Sequence, residues 1–150
     1  MKIIFLDVDG VLNCPSTKAR INGYIGVEQD KISLVKQIVE ATEAKIVLSS
    51  TWRLDIGIHE GHVTYNYLVE ELAKQGLGIF DITPYRTDNE RGLEIKEWLN
   101  RFGQEVERYI IIDDDTYDIM PYHKGHVVRT SWRKGIKPNA VKMAISMLNK

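Results

Sequence analysis

Two aspartates one residue apart, Asp7 and Asp9, follow the apolar run 3–6 and precede Gly10. Like charges this close repel each other, and no basic residue follows until Lys18. A second acidic run, Asp113, Asp114 and Asp115, follows another apolar stretch, and Asp118 comes one short turn later. Between them in the chain, Ser49 and Ser50 close the run KIVLSS, residues 45–50, and Thr51 follows. Carboxylates gathered in one place need a cation, and all-oxygen ligands select a hard one, Mg²⁺ before others. A hard cation beside hydroxyl and backbone donors makes a site for a phosphoryl group. One carboxylate can then attack phosphorus while a second handles the leaving-group and water protons. The spacing Asp-x-Asp suits that division of labour.

These residues meet only if the elements carrying them point the same way. KIIFL reads as a continuous apolar strand of the parallel, doubly covered kind, and KIVLSS as a second. GIFDI, YIIID and HVVRT give a third, fourth and fifth. Helical stripes alternate with them. One carries Ile32, Val35, Ile38 and Val39, with Asp30 as its cap; a looser one spans His62 to Gln75 with Gly76 as its stop. A third covers residues 89–102, with Ile95, Trp98, Leu99 and Phe102 on its buried side and Gly103 as its stop. The last starts near Pro138 and runs through Val141, Ala144, Ile145 and Leu148. The alternation predicts a three-layer α/β/α, Rossmann-like sandwich around a central parallel sheet of about five strands. Ligands of such sheets bind at the carboxyl ends of the strands, where the acidic and hydroxyl residues all fall.

Bulk properties agree. A length of 150 residues, 43% hydrophobic and 27% charged, with 4 prolines, predicts one folded domain over 1–150 and excludes disordered and fibrous classes. A formal net charge of −1 excludes a globally basic nucleic-acid binder while leaving room for a local basic patch. A single cysteine, Cys14, excludes an internal disulfide framework. With no apolar stretch long enough for a signal or a membrane span, the expectation is a cytoplasmic protein that does not engage membranes.

The set DVDGVLN, IVLSS and IIIDDDTYD resembles motifs one, two and four of the haloacid dehalogenase (HAD) superfamily of phosphohydrolases, in the expected order over residues 3–118. The resemblance implies Asp7 as nucleophile and metal ligand. It implies Asp9 as general acid and base, binding metal through its backbone carbonyl. Ser49 would bind the phosphoryl group, with Ser50 the alternative. In the fourth motif the family pattern matches Asp113, Asp114 and Asp118, giving Asp114 the metal and Asp118 a supporting place among the ligands. The second aspartate of motif one argues for phosphatase over dehalogenase chemistry.

The family's third motif is a cation that neutralises nucleophile and phosphate, and RGLEIKEWL offers Arg91 and Lys96. At about 100° per residue, Arg91 falls roughly 30° from the centre of the buried stripe and Lys96 roughly 110° away. Crossover helices run antiparallel to the strands, so Arg91 also lies at the active end; it is the choice. This stretch, with SSTWR, is also similar to the small HAD group linked to RNA-repair proteins. Only about twenty residues, an irregular stretch punctuated by Gly23 and Gly26, separate Asp9 from the next helix, so a minimal flap is expected and no cap domain. An open site suits a nucleic-acid end, a nucleotide or a phosphoprotein. A monomer or small homo-oligomer is expected.

Other features read two ways. Trp52, Arg53, Trp132, Arg133 and Lys134 suit base stacking with phosphate contacts, or packing at the edge of the core. The H-x-x-H spacings His59/His62 and His123/His126 fall in loops and suit surface packing better than zinc. Cys14 has no evident activating partner. Clustered carboxylates also serve metal-dependent nucleases. A receiver-type regulatory domain fits poorly, because Asp81 and Thr83 fill one of its key regions and Thr130 the other.

Overall fold

The computed structural model describes residues 1–55 and 63–150. Five parallel strands form the central sheet in the order β5-β4-β1-β6-β7: β1 (Lys2–Leu6), β4 (Lys45–Leu48), β5 (Ile79–Ile82), β6 (Arg108–Asp113) and β7 (Val127–Arg129). β1 pairs with β4 on one side and β6 on the other, with Leu6 in register with Leu48 and Ile112. The strands' carboxyl ends are therefore level, and Asp7, Ser49 and Asp113 emerge next to one another.

The period of two in β1 divides the core. Ile4 and Leu6 face the layer of α1 (Gln29–Thr42), α2 (Val63–Ala73) and α5 (Pro138–Leu148), where Ile32, Leu68 and Ala144 meet them. Ile3 and Phe5 face α3 (Arg91–Phe102), joining Val47, Ile95, Trp98 and Ile111. Trp98 is fully buried, packs edge-on against Phe5, and donates its indole N–H to Asp81 at 2.8 Å. A short helix, α4 (Met120–His123), completes that face. The expected three-layer α/β/α sandwich is what the chain forms.

Two local expectations change. Asp30 sits in the first turn of α1 rather than capping it, because the chain turns helical two residues earlier than that cap would allow, with Glu28 at the cap and its carbonyl accepting the N–H groups of Lys31 and Ile32. There Asp30 still favours the positive end of the helix dipole. The stretch after β1 is not wholly irregular: β2 (Arg20–Ile21) and β3 (Tyr24–Ile25) form a hairpin. Asn22 and Gly23, both at positive φ, make the two-residue turn that such a ribbon favours. This hairpin occupies the stretch where a minimal flap is expected. Among the described residues no crossover carries a domain-sized insertion.

Candidate active site

Backbone hydrogen bonds align the strand ends. The Asp7 N–H donates to Ile112 O at 3.1 Å, the Ser49 N–H to Leu6 O at 3.0 Å, and the Thr130 N–H to Asp113 O at 3.0 Å. Carboxylate oxygens of Asp7, Asp113 and Asp114 all lie within 4.8 Å of one another, a spread one cation can bridge. Gly10 makes room for the third: at φ +81° it lies so close beneath Asp114 that a Cβ there would overlap the carboxylate. That is the physical reason Asp-x-Asp ends in glycine in this chain.

Arg91 supplies the positive charge within the cluster. Its Nη1 donates to Asp113 Oδ2 at 2.7 Å and stands 3.2 Å from Asp7 Oδ1. Burial opposes its charge, yet Asp7 and Asp113 hold it protonated more firmly than a free guanidinium. One guanidinium does not balance three carboxylates. Burial first, and the neighbouring Asp113 second, push the Asp7 carboxyl well above the usual carboxylate range in spite of Arg91. Burial likewise raises Asp113 against the pull of Arg91. A hard cation would relieve both, and the all-oxygen donor set suits one.

The remaining expected residues divide by what they touch. Ser49 is fully buried, and its hydroxyl has no hydrogen-bond partner among the described residues. A buried unsatisfied donor is costly, and this hydroxyl is free to donate to an oxygen ligand. Ser50 is already engaged, accepting the Trp52 backbone N–H at 3.1 Å. The exposed Asp9 carboxylate accepts from Asn13 Nδ2 at 2.9 Å and from the Trp52 indole at 3.2 Å, so it is held beside the three-acid cluster and outside it. Asp118 Oδ2 accepts the Arg91 backbone N–H at 2.8 Å, holding the start of α3. Gly92 permits this, since a Cβ there would run into the Asp118 carbonyl. Lys96 is exposed.

The tryptophan–arginine pair after β4 is structural. Trp52 is buried, and Arg53 donates to the carbonyls of Ser49, Ser50, Thr83 and Pro84 while pairing with buried Glu94 at 2.9 Å. Arg53 thus pins the end of β4, with Ser49 on it, to β5 and α3. His123 Nε2 lies 2.7 Å from the Gly92 carbonyl and must donate to it, which leaves Nδ1 to accept from Tyr109; both ring nitrogens are occupied. His126 stacks on Tyr109. His59 and His62 lie outside the described residues. Cys14 is buried against Ser16 and Thr17.

Sequence reasoning gave Asp113 no ligand role, although it is central to the cluster, and it overlooked the Glu94 that anchors Arg53. An acid three residues after Arg91, on the sheet side of the helix, was the available signal. Thr83, which in sequence bears only on the receiver comparison, also has a buried hydroxyl without a partner among the described residues, and its N–H donates to Leu48 O.

The family model described as the HAD domain in Swiss Army Knife RNA repair proteins matches residues 3–141. The chain belongs to this family. A HAD domain is a phosphohydrolase-type module that typically depends on a metal, and the cluster of Asp7, Asp113 and Asp114 is where this HAD domain can hold one. No curated protein matches the chain. Among the described residues, no helix of this HAD domain is long and apolar enough to cross a membrane.

Proposed function

We propose that the chain is a Mg²⁺-dependent phosphatase that cleaves phosphate monoesters through an aspartyl-phosphate on Asp7, with nucleic-acid ends or nucleotides as its substrates. One observation carries this reading: the buried Asp7 carboxylate shares its site with Asp113, Asp114 and Arg91, and the strand it follows, β1, lies next to β4, after which comes the unpartnered Ser49 hydroxyl. Mg²⁺, held by Asp7, Asp114 and Asp113, would supply Lewis-acid charge for the phosphoryl oxygens. Asp9, through its backbone carbonyl, and Asp118 would support that set. Ser49, with Ser50 as the alternative, donates to one phosphoryl oxygen, and Arg91 orients Asp7 and neutralises the incoming charge.

In the first step an Asp7 oxygen attacks phosphorus. The bond from phosphorus to the ester oxygen breaks, and Asp9 delivers a proton to that oxygen. In the second step Asp9, now a carboxylate, takes a proton from water. The water oxygen attacks phosphorus and frees Asp7 with inorganic phosphate. The two donors on Asp9, Asn13 and Trp52, keep it at the mouth, where leaving group and water pass. The same reading takes residues 1–150 as one domain, a monomer or small homo-oligomer in the cytoplasm, away from membranes. The family's description supports nucleic-acid ends over other monoesters.

Phosphate release from p-nitrophenyl phosphate, nucleoside monophosphates, sugar phosphates and oligonucleotides bearing 3′- or 5′-phosphates tests the reading, with Mg²⁺ or EDTA. Asp7→Asn is expected to lose turnover with the fold intact by circular dichroism. Full activity in that variant removes the mechanism.

A further inference from the structure

Charge is distributed very unevenly along this chain. From Ile119 to the end it carries seven of the 20 lysines and arginines and none of the 21 acids. Four of the seven, Arg129, Arg133, Lys134 and Lys137, lie within nine residues, on the segment that leaves the carboxyl end of β7 and enters α5. All four are exposed, and no acid among the described residues forms an ion pair with any of them. Lys134 lies against Lys137, and this contact lowers the Lys137 pKa. Like charges left together without a counterion are stabilised by an anion.

Three of the four, Arg129, Lys134 and Lys137, line a cleft. It has a volume of about 300 Å³, and its lining includes Arg129, Thr130, Ser131, Lys134, Lys137 and Asn139. The cleft adjoins the carboxylate centre. The Thr130 N–H donates to Asp113 O at 3.0 Å, and its hydroxyl donates to Gly10 O at 2.7 Å. The segment is firmly seated: Ser131 and Gly135 bridge, the Ile136 N–H donates to Val11 O at 2.9 Å, and a Cβ on Gly135, at φ +69°, would stand 2.8 Å from that same carbonyl. Trp132 projects from this turn 57% exposed, and Tyr117, in the loop after Asp115, is 91% exposed. An exposed aromatic beside cations is the arrangement by which single strands are bound, through base stacking and backbone contact.

We propose that the cleft between β7 and α5 is a second phosphate site. It would take a backbone phosphate of a single-stranded nucleic acid on Arg129, Lys134 and Lys137, with a base stacked on Trp132 and the terminal phosphate in the carboxylate centre. The proposal rests on the phosphatase reading for its substrate end and on the cleft itself for the strand. It makes the chain a reader of strands as well as of phosphate: a mononucleotide fills one site and an oligonucleotide two.

Two measurements decide it. The first is fluorescence anisotropy of a labelled ten-nucleotide RNA with a 3′-phosphate, in EDTA, over a salt series, with folding of each variant checked by circular dichroism. Lys134→Ala with Lys137→Ala is expected to weaken binding at least tenfold and to flatten the log–log salt slope by about 0.7, the share of one phosphate contact. Trp132→Ala is expected to weaken binding several-fold with the slope kept. The second, with Mg²⁺, compares KM for the same oligonucleotide and for p-nitrophenyl phosphate; the double variant should raise the first at least tenfold more than the second. Oligonucleotide binding within twofold of wild type, or a loss confined to a phosphopeptide of matched charge, overturns the proposal. The anisotropy arm decides the cleft whatever the hydrolysis shows, whereas retained turnover in Asp7→Asn sinks only the phosphatase reading.

Discussion

Replacing Arg53 with methionine tests whether this residue is a strut of the site or a contact for substrate. Its guanidinium is buried, satisfies four backbone carbonyls and pairs with Glu94 at 2.9 Å. Methionine keeps much of the volume but abandons those acceptors and leaves Glu94 buried without its cation. Breaking a buried pair from one side costs about 3–5 kcal/mol. The lower end applies, because the Arg86 backbone N–H still donates to Glu94 at 3.0 Å. About 3 kcal/mol lowers Tm by roughly 6–12 °C in a chain of this size. Arg53→Lys should recover little, since an ammonium cannot reproduce the planar fork that spans two strand ends. Adding Glu94→Leu to Arg53→Met should restore part of the loss by removing the stranded acid. Differential scanning calorimetry of the metal-free protein makes the measurement. A Tm drop under about 3 °C for Arg53→Met, or full recovery by lysine, would refute the reasoning and return Arg53 to the surface role its sequence context also allows.

Three further outcomes follow from the carboxylate cluster. Because burial raises the Asp7 carboxyl in the folded state, its contribution is present below its unfolded value of about 3.9 and is lost as pH rises through the folded value. Metal-free Asp7→Asn should therefore melt above wild type at pH 7–8, with the gain shrinking toward pH 4; a gain independent of pH contradicts this. Mg²⁺ at a hundredfold over its Kd should stabilise wild type by about 2.7 kcal/mol, roughly 5–11 °C, and Asp7→Asn far less, as read by thermal scans with and without EDTA. Gly10→Ala should weaken Mg²⁺ binding by at least about tenfold in titration calorimetry, because its Cβ displaces Asp114 and its φ is left-handed; unchanged affinity would remove Asp114 from the ligand set.

The sequence by itself determined the layers and the active edge. Continuous apolar strands such as KIIFL can only be buried on both faces, and crossover helices then force a parallel sheet whose polar strand ends share one side. Asp7, Ser49 and the acidic run after β6 were legible for that reason, and the helical phase of α3 was enough to separate Arg91 from Lys96. The Asn22–Gly23 turn lies in a stretch whose composition alone reads as irregular chain. Tertiary structure decided what period and spacing do not encode. Ser49 and Ser50 are adjacent hydroxyls, and only the Trp52 N–H on Ser50 tells them apart. Asp113, Asp114 and Asp118 stand close in sequence, yet one faces Arg91, one rests on Gly10 and one holds the start of α3. Trp52–Arg53 and Trp132–Arg133 are equivalent as dipeptides. The first is buried because carbonyls from two strand ends converge on Arg53, and the second is exposed because its turn is held to the loop after β1 by the Thr130 hydroxyl and the Ile136 backbone N–H instead. Which partner a polar group finds depends on segments distant in the chain, and only the folded arrangement brings those segments together.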